Sequence, residues 1–296
     1  MADSVEMQNI RGLDIDKTVK GFALVEYIFK NDCMISSTSS DHIRWYQETA
    51  ADLTATAPAV VADISPLSTF PTLEPTWTRN TSYIKKYAAE SSISMEDMKG
   101  SDIDVVARTL LRLTRAVVKQ VDTDIFNVMT EDQSPTNINT FATTSVGGAE
   151  WDAPAASGAD IVKDLENAKK LIRDNDYNPE GATLYLNGYD NRSLVTWLIS
   201  TKGSSIPNFS SEKVTTGTVM RILGLNVKVS NNVTASGALV IIPQRACTWK
   251  SHTDTTSVAI EDKGLSTKFR VWELGVAILT DPKAVCYITD TALSNV

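Results

Sequence analysis

A single stretch of this sequence, residues 102–130, carries an apolar pattern that requires a long helix. Between Ile103 and Val128, apolar side chains recur at steps of three and four residues, which places them on one face of an α-helix. A helix over this range would be about 43 Å long at 1.5 Å per residue, whereas the mean globular helix has roughly 11–12 residues. Residues 101–104 resemble a capping box before it. The fold must therefore be built around one unusually long element.

A second row of side chains on the same predicted helix is basic, and it lies on a face distinct from the apolar one. The row recurs at steps of four, three and four residues and consists of Arg108, Arg112, Arg115 and Lys119. One interpretation is a surface that faces nucleic acid, whose phosphates attract such a row. The other is a solvated face, or one paired with acidic residues of a neighbouring segment. From the residues alone we favour the second interpretation, because charged rows on helices are usually solvated faces.

The segment 41–76 is rich in proline and in apolar side chains but has no regular periodicity. It contains Pro58, Pro66, Pro71 and Pro75, and proline is excluded from helix interiors and central strands. We therefore predict an extended segment or a hairpin. A long connection of this kind is usually functional, and apolar residues that cannot reach a core of their own mark a surface for a partner. The residues we assign to this contact are Trp45, Val60, Val61, Ile64, Leu67 and Phe70.

The remaining patterns predict an α+β fold in two interleaved lobes. Ile161, Leu165, Ala168 and Ile172 share one helical face, and the Ser/Thr/Gly-rich stretch before them predicts a loop-rich crossing. Residues 1–40 predict a short helix or an extended arm without a core of its own. A further helix is predicted over 189–199. Strands are predicted over 77–94, 182–187, 219–229, 238–242, 269–279 and 284–288.

Composition limits the classes of protein to consider. With 296 residues, 42% of them apolar, the chain can bury a real core, and its net charge of −8 lacks the basic surplus of a free nucleic-acid binder. No apolar run approaches the roughly 20 residues that span a bilayer, so we expect no membrane partner. The polar N-terminal stretch carries no secretion signal, and we expect synthesis and assembly inside a cell.

A search for catalytic and metal-binding patterns gives little. The three cysteines are Cys33, Cys247 and Cys286. Their wide spacing fits neither a zinc site nor a disulfide framework, and we predict three buried thiols. The two histidines, His42 and His252, are too few for a triad or a metal cage. His252 with Asp254 could form a base and its orienting group, but we interpret the run around them as a solvated polar turn. We expect no catalytic residue, no bound metal and no cofactor.

The order of these parts, together with several local stretches, resembles a known family. Residues 77–94 running into 102–127 look like the passage from an extended loop to a long spine helix. The closing stretch Lys268-Phe-Arg-Val-Trp-Glu-Leu-Gly, followed by 281–285, and the helix and turn of 160–180 look like further parts of the same pattern. Over most of residues 20–290 the chain resembles the major capsid proteins of tailed double-stranded DNA phages, whose fold is named for phage Hong Kong ninety-seven.

The resemblance implies a structural role for each part of the chain and no enzymatic activity. Residues 1–40 would be the N-terminal arm, and 41–93 the extended loop over an adjacent subunit. Residues 94–144 and 246–296 would form the peripheral lobe with its spine helix, and 145–245 the axial lobe. Copies of the chain would form hexamers and pentamers of an icosahedral capsid, assembled in the host cytoplasm and located in the virion. The implied partners are other copies of the chain, scaffolding, portal and decoration proteins, and packaged double-stranded DNA bound non-specifically.

The resemblance also bears on how the shell is held together. Some family members crosslink their shells covalently through Lys–Asn isopeptide bonds, using a lysine on the extended loop. This chain has no lysine between Lys30 and Lys85, so we predict that no such crosslink forms. The short N-terminal segment leads us to expect a separate scaffolding protein. The resemblance implies that the basic row on the spine helix would face the genome, which strengthens the interpretation of this row as a surface that faces nucleic acid.

Three other functions stay open at this point. An encapsulin, which is a bacterial compartment shell that loads enzymes, shares the fold; cargo protein in place of DNA would identify it. A cytoplasmic enzyme with an unrecognised site belongs to a different class, and the scarcity of histidine and of nucleophile motifs argues against it. The third is an extracellular adhesion or tail component.

Overall fold

The computed structural model describes most of the residues of the chain. They divide into two compact units. Unit 1 comprises Met1–Ile43, Thr81–Ile125 and Thr248–Ile278, and unit 2 comprises Arg44–Asn80, Phe126–Cys247 and Leu279–Val296. The described ranges are 15–23, 26–48, 65–69, 77–100, 104–130, 138–146, 148–152, 161–198, 221–262 and 264–292.

Unit 1 is built on a four-stranded sheet in the order β1-β10-β11-β4. Strand β1 is parallel to β10, and β11 is antiparallel to β4 over ten residue pairs, from Ser266↔Ser94 to Gly275↔Lys85. Residues 15–23 form the first helix, α1, and a 3₁₀ turn spans Lys30–Asp32. The strands are β1 (Met34–Ser37), β4 (Lys85–Ser94), β10 (Cys247–Asp262) and β11 (Ser266–Leu279).

The long strand β10 corrects one sequence-based interpretation. Residues around His252 and Asp254 were predicted to form a solvated polar turn, but they lie in the middle of a 16-residue strand. The strand contains four Thr together with Trp249, Val258 and Ile260, residue types that suit a half-buried pleated surface. Its Trp249 is completely buried, and a Cβ added at Gly275 of β11 would come within 2.4 Å of the indole ring. Glycine at 275 therefore allows the two long strands to pack around this tryptophan.

The predicted long helix is confirmed, with a later start than expected. Helix α3 spans Val105–Thr130, 26 residues, or about 39 Å. Asp104 caps it, because its Oδ1 accepts the Ala107 N–H at 2.9 Å; residues 101–103, at the predicted start, lie outside the described residues. The apolar face is buried as predicted at Leu110, Leu113, Val117, Val121 and Ile125. A short helix, α2 (Met95–Gly100), precedes it.

Unit 2 is built on a six-stranded mixed sheet in the order β5-β12-β9-β6-β8-β7. Strand β12 is parallel to β5 and antiparallel to β9, while β6 is antiparallel to β9 and parallel to β8. Every residue of β6 and β9 is buried, as expected of central strands covered on both faces. The strands are β5 (Asn139–Ala142), β6 (Thr183–Leu186), β7 (Arg221–Ile222), β8 (Leu225–Val229), β9 (Gly237–Ile241) and β12 (Val285–Thr289).

The helices of unit 2 follow the predicted patterns closely. Helix α5 (Ile161–Arg173) buries completely the four apolar residues that share its face, Ile161, Leu165, Ala168 and Ile172. Helix α6 (Gly188–Trp197) begins where the Asn187 side chain accepts the Tyr189 N–H at 3.1 Å. The four-residue helix α4 (Thr143–Val146) follows β5. None of the helices in the described part of the chain is long and apolar enough to span a membrane.

The predicted strand 219–229 is wrong in its continuity. The described part, 221–229, is a hairpin of β7 and β8 around Leu223 and Gly224, which have φ of 51° and 82°. Positive φ at both central residues is the requirement of the tightest hairpin turn, and glycine at the second position fits it. The flanking residues favour a strand, and Gly224 alone indicates a turn in the sequence, so the turn was not predicted.

The units also divide the chain differently from the predicted lobes. The C-terminal strands were assigned together to a peripheral lobe, yet β11 pairs with β4 in unit 1 and β12 pairs with β9 in unit 2. Strand β4 was assigned to the extended loop and is part of the unit 1 sheet. Residues 1–40 were expected to have no core of their own, and Val19 and Phe29 are completely buried as part of unit 1. Pairing between distant strands produces these differences, and local sequence patterns do not encode it.

Candidate assembly surfaces

The basic row on α3 is exposed along its whole length. The Arg108, Arg112, Arg115 and Lys119 side chains cover three turns of the helix, about 17 Å, and all four residues are exposed. Arg115 Nε donates to Glu26 Oε1 at 2.8 Å, so one member pairs with an acidic residue of a neighbouring segment. Within the described residues the other three form no ion pair. The row therefore offers at least three positive charges to a partner.

The described ends of the proline-rich segment form a hairpin stem. Strands β2 (His42–Glu48) and β3 (Trp77–Tyr83) pair as a two-stranded sheet, as the hairpin prediction required. Of the residues predicted to contact a neighbour, Trp45 is half-buried and Leu67 is fully exposed. The predicted contact residues Val60, Val61, Ile64 and Phe70 lie outside the described residues.

Two tyrosines on the hairpin stem were missed by the sequence analysis. Tyr46 and Tyr83 expose 58% and 72% of their surface, although tyrosine is usually more deeply buried. Aromatic residues are enriched at protein interfaces. Their alternation with polar residues in 42–48 and 77–83 is the signal that could have identified them, because alternate residues of a strand share a face.

The unit 1 sheet exposes further apolar side chains at two places. Met34 and Ile35 lie on β1, an edge strand, and both are more than half exposed. Val258, Ile260 and Leu265 are exposed near the β10–β11 connection. An edge strand and an apolar hairpin end are both surfaces on which another chain can pack. These residues were not predicted as contact residues, because neither β1 nor β10 was predicted as a strand.

A buried cluster of charged and aromatic side chains fixes the segment after α1 inside unit 1. Glu273 of β11 is completely buried. One of its carboxylate oxygens accepts a hydrogen bond from the Lys30 ammonium, and the other accepts bonds from the Tyr27 hydroxyl and, at 3.1 Å, from Thr255 Oγ1. The Lys30 ammonium also lies 4.4 Å from the Tyr27 ring centroid. Burial, and then the charge of Glu273, raise the pKa of Tyr27, so its hydroxyl remains a donor.

A second buried carboxylate, Asp122 of α3, holds the same segment through its backbone. Its oxygens accept the Ile28 N–H at 2.8 Å and the Lys30 N–H at 3.2 Å. Burial raises the pKa of Asp122 to about 6, and the backbone hydrogen bonds act in the opposite direction. Residues 26–33 are therefore held in unit 1 by two sets of contacts, the buried cluster around Glu273 and the backbone hydrogen bonds that Asp122 accepts. Both carboxylates lie far from this segment in sequence.

Nothing in the described residues assembles into a catalytic or metal-binding constellation. They contain no group of three or more His, Cys, Asp and Glu side chains able to hold a metal ion. His42 and His252 are exposed, and the Asp254 carboxylate accepts a hydrogen bond from Ser251 at 2.6 Å. The three cysteines are free and buried, as predicted, and burial raises the pKa of Cys286. The surfaces described above are the functional candidates.

Comparison with known proteins places the chain among capsid proteins. A family model described as phage capsid protein matches residues 79–288, more than half of the chain. No curated protein matches it.

Solved capsid structures share its fold. The capsid protein of cyanophage P-SCSP1u has a TM-score of 0.65 at 12% identity, with 89% of this chain and 88% of that chain covered. The mature capsid of bacteriophage PhiM1 gives 0.61 at 12% identity, covering 91% and 88%. A virus-like particle from Pyrococcus furiosus gives 0.63 at 10% identity, covering 94% and 99%. The chain belongs to the phage capsid protein family, and it is a capsid shell subunit with the Hong Kong ninety-seven-type fold.

Proposed function

We propose that copies of this chain assemble into hexamers and pentamers of an icosahedral shell that encloses a double-stranded DNA genome. The observation that carries the proposal is the phage capsid match over residues 79–288. Structural similarity at 10–12% identity supports the fold alone, so the assembly rests on the family. The chain has a structural role in this proposal and catalyses no reaction.

The exposed apolar residues support contacts between copies of the chain. A closed shell requires each subunit to bury several surfaces against neighbours, and the exposed edge strand β1, the hairpin end near Leu265 and the β2–β3 stem are suited to that. In this proposal the proline-rich segment extends over an adjacent subunit from its paired stem. The absence of lysine between Lys30 and Lys85 supports a shell without isopeptide crosslinks from this loop.

The basic row on α3 supports a surface that faces the packaged genome. Double-stranded DNA carries one negative charge per about 1.7 Å of axis, so a row about 17 Å long meets many phosphates in any sequence. Backbone contacts of this kind carry no sequence information. The proposed binding is therefore non-specific, and reversing the charges at Arg108 and Arg112 should reduce DNA content without changing the fold.

The remaining partners and the place of assembly complete the proposal. Scaffolding, portal and decoration proteins are the expected partners besides the chain itself, and assembly takes place in the host cytoplasm before the shell becomes part of the virion. An encapsulin-type shell is less favoured, because the matching family is that of phage capsids. Packaged genomic DNA would separate the two, since an encapsulin would instead contain a cargo protein.

The first experiment is negative-stain electron microscopy with sedimentation velocity on the same purified sample. Closed shells, or hexamers and pentamers, are the expected result. A monodisperse monomer or dimer that stays unchanged when a scaffolding protein or a crowding agent is added would contradict the proposal and reopen the enzyme alternative. A ladder of covalent multimers on a denaturing gel would contradict the prediction of an uncrosslinked shell.

A further inference from the structure

The β2–β3 stem has one exposed face that is both cationic and aromatic. Gln47 is buried, and its Oε1 accepts a hydrogen bond from Asn80 Nδ2 at 3.2 Å. The adjacent residues Tyr46 and Arg79 therefore lie on the opposite side of the two-stranded sheet, and Arg44, two residues before Tyr46, shares that side. All three are exposed, and neither arginine forms an ion pair within the described residues. We call Arg44, Tyr46 and Arg79 the stem face.

The composition of the stem face indicates the kind of surface that it can bind. Strands β2 and β3 together carry two arginines against one glutamate. Arginine and tyrosine are both enriched at protein interfaces. The arginine guanidinium binds carboxylates through two parallel donors, and the tyrosine ring adds apolar area. The stem face therefore suits a partner surface that combines carboxylates with exposed apolar side chains.

Unit 1 carries such a surface at the end of the β10–β11 hairpin. Val258, Ile260 and Leu265 expose 39%, 39% and 64% of their surface. Helix α2 begins beside them, because the Met95 N–H donates to the Leu265 carbonyl at 3.1 Å. The hairpin end and the first turn of α2 also present four exposed carboxylates, those of Glu96, Asp97, Glu261 and Asp262. We call this surface the acidic end.

The charge of the acidic end limits what can cover its apolar residues. In the described part of the chain, none of its four carboxylates forms an ion pair. These acids exceed the two lysines of the same stretches, Lys99 and Lys263. Like charges brought together at an interface are strongly unfavourable, so the acidic end is unsuited to pack against its own copy or against nucleic acid. A cationic surface with apolar area of its own is the partner that it fits.

We propose that the stem face of one copy docks on the acidic end of a neighbouring copy. This inference rests on the shell assembly proposed above and identifies one contact that holds the shell together. The two surfaces have opposite charge, and each has apolar or aromatic area that the other covers. The contact joins two different patches of identical chains, so it is head-to-tail, and contacts of this kind close into rings. It therefore suits the hexamers and pentamers of the shell.

The test reverses the charge of each surface separately and then of both together. Arg44→Glu with Arg79→Glu makes the stem face acidic, and Glu261→Lys with Asp262→Lys makes the acidic end basic. Either pair of substitutions places like charges on both sides of the contact, and we expect the assembled fraction in sedimentation velocity to fall about tenfold or more. The chain with all four substitutions has opposite charges across the contact again and should recover most of the wild-type assembly.

The matched control is Lys17→Glu with Lys86→Glu. Both lysines are exposed and lie outside the two surfaces, and their reversal changes the net charge as much as the stem-face substitutions do. The control should assemble like the wild type. Thermal melting of unassembled subunits verifies folding, and because the substituted side chains are exposed, all variants should melt close to the wild type.

Several results would overturn the inference while the wild type still forms shells. They are normal assembly of either charge-reversed pair, a chain with four substitutions that assembles no better than the pairs, and a control that fails as they do. Normal assembly of the stem-face variant with less packaged DNA would also overturn it and would identify nucleic acid as the partner. A wild type that forms no shells, hexamers or pentamers would contradict the proposed function and this inference together.

Targeted crosslinking gives a direct second measurement. The three native cysteines are buried, so a bis-maleimide reagent reaches thiols that are introduced on the surface. Assembled Tyr46→Cys, Leu265→Cys chains should be linked head-to-tail into covalent multimers larger than a dimer on a denaturing gel. Each single variant should give no species above the dimer. An assembled double variant that also gives none would refute the docking of the stem face on the acidic end.

Discussion

Units 1 and 2 each contain a completely buried carboxylate, and the two are satisfied in opposite ways. Glu273 in unit 1 accepts hydrogen bonds from a lysine, a tyrosine and a threonine. Asp190 in unit 2 has only the uncharged Thr291 hydroxyl as a side-chain donor, and within the described residues no cationic side chain pairs with it. Both are excluded from water, so burial alone does not determine whether a carboxylate is compatible with its site. The number and charge of the donors around it decide this.

Asp122 and Asp190 have similarly raised pKa values but different hydrogen-bond partners. Burial raises the pKa of both Asp122 and Asp190 to about 6. Asp122 nevertheless accepts hydrogen bonds from two backbone amides, whereas the pKa of Asp190 is raised further by the charge of Asp152. The same substitution should therefore have opposite effects at the two positions.

Removal of Glu273 should have the largest effect. Glu273→Leu leaves the Lys30 ammonium buried without a partner, and we expect the free energy of unfolding to fall by about 3–5 kcal/mol. Guanidinium unfolding of unassembled subunits measures it. The double variant Lys30→Met, Glu273→Leu removes both charges and should recover most of the loss. A double variant as unstable as the single one would show that packing, and not the unpaired charge, dominates at this site.

Neutralising Asp190 should stabilise the chain at neutral pH. A rise of its pKa from 3.8 to about 6 means that the charged form costs at most about 3 kcal/mol. At pH 7, Asp190→Asn should therefore be more stable than the wild type. The folded wild type binds the proton more tightly than the unfolded chain, so its own stability gains from this group as the pH falls from about 6 to about 4.

The advantage of Asp190→Asn over the wild type should shrink across that same pH window. Unfolding free energies measured at several pH values test this. An advantage that is constant between pH 7 and pH 4 would show that the carboxylate charge is not its cause.

The same aspartate-to-asparagine change at Asp122 should destabilise the chain. An asparagine presents only one acceptor oxygen, and its amide donors would face the Ile28 and Lys30 N–H groups. We expect a loss of about 1–2 kcal/mol, measured by guanidinium unfolding, and faster limited proteolysis of residues 26–33. If Asp122→Asn were as stable as the wild type at pH 7, the hydrogen bonds from the Ile28 and Lys30 amides would not explain why a carboxylate is buried at this position.

The smallest effect is expected at the exposed pair Arg115–Glu26. Its distance of 2.8 Å is that of a good ion pair, but solvent screens it, and Arg115→Ala should cost less than about 1 kcal/mol of stability. Guanidinium unfolding in low and high salt tests this. A loss comparable to that of Glu273→Leu would show that the pair is shielded from solvent, contrary to its exposed position on the basic row.

The reliability of the sequence analysis depended on how local each pattern was. Helices α3 and α5 were predicted with the correct buried faces, because a helix repeats every 3.6 residues and its apolar stripe is visible in the chain itself. The basic row was identified from the same helical periodicity. Its side chains are exposed because they lie on the face of α3 away from the apolar stripe. Strand β10 was mistaken for a turn, because its Ser, Thr and Asp residues suit both a half-buried strand and a loop.

The candidate surfaces were predicted only in part. The paired stem around the proline-rich segment agrees with the predicted hairpin, while Tyr46, Met34 and Ile35 were not recognised. Exposure of an apolar residue in a strand depends on which strand lies beside it, and edge strand β1 pairs with β10, more than two hundred residues later in the chain. The interaction residues of such a sheet cannot be identified until its strand order is known.

Neighbouring residues and the order of parts were enough to predict the long spine helix, the α+β class and the family resemblance, because these features depend on local patterns along the chain. The tertiary structure alone decided that Lys30 meets Glu273, that Asp122 holds the backbone after α1, and that Asp190 and Thr291 share a buried site. These partners lie about a hundred residues or more apart. Strand pairing and the packing of helices, which no local pattern encodes, bring them together.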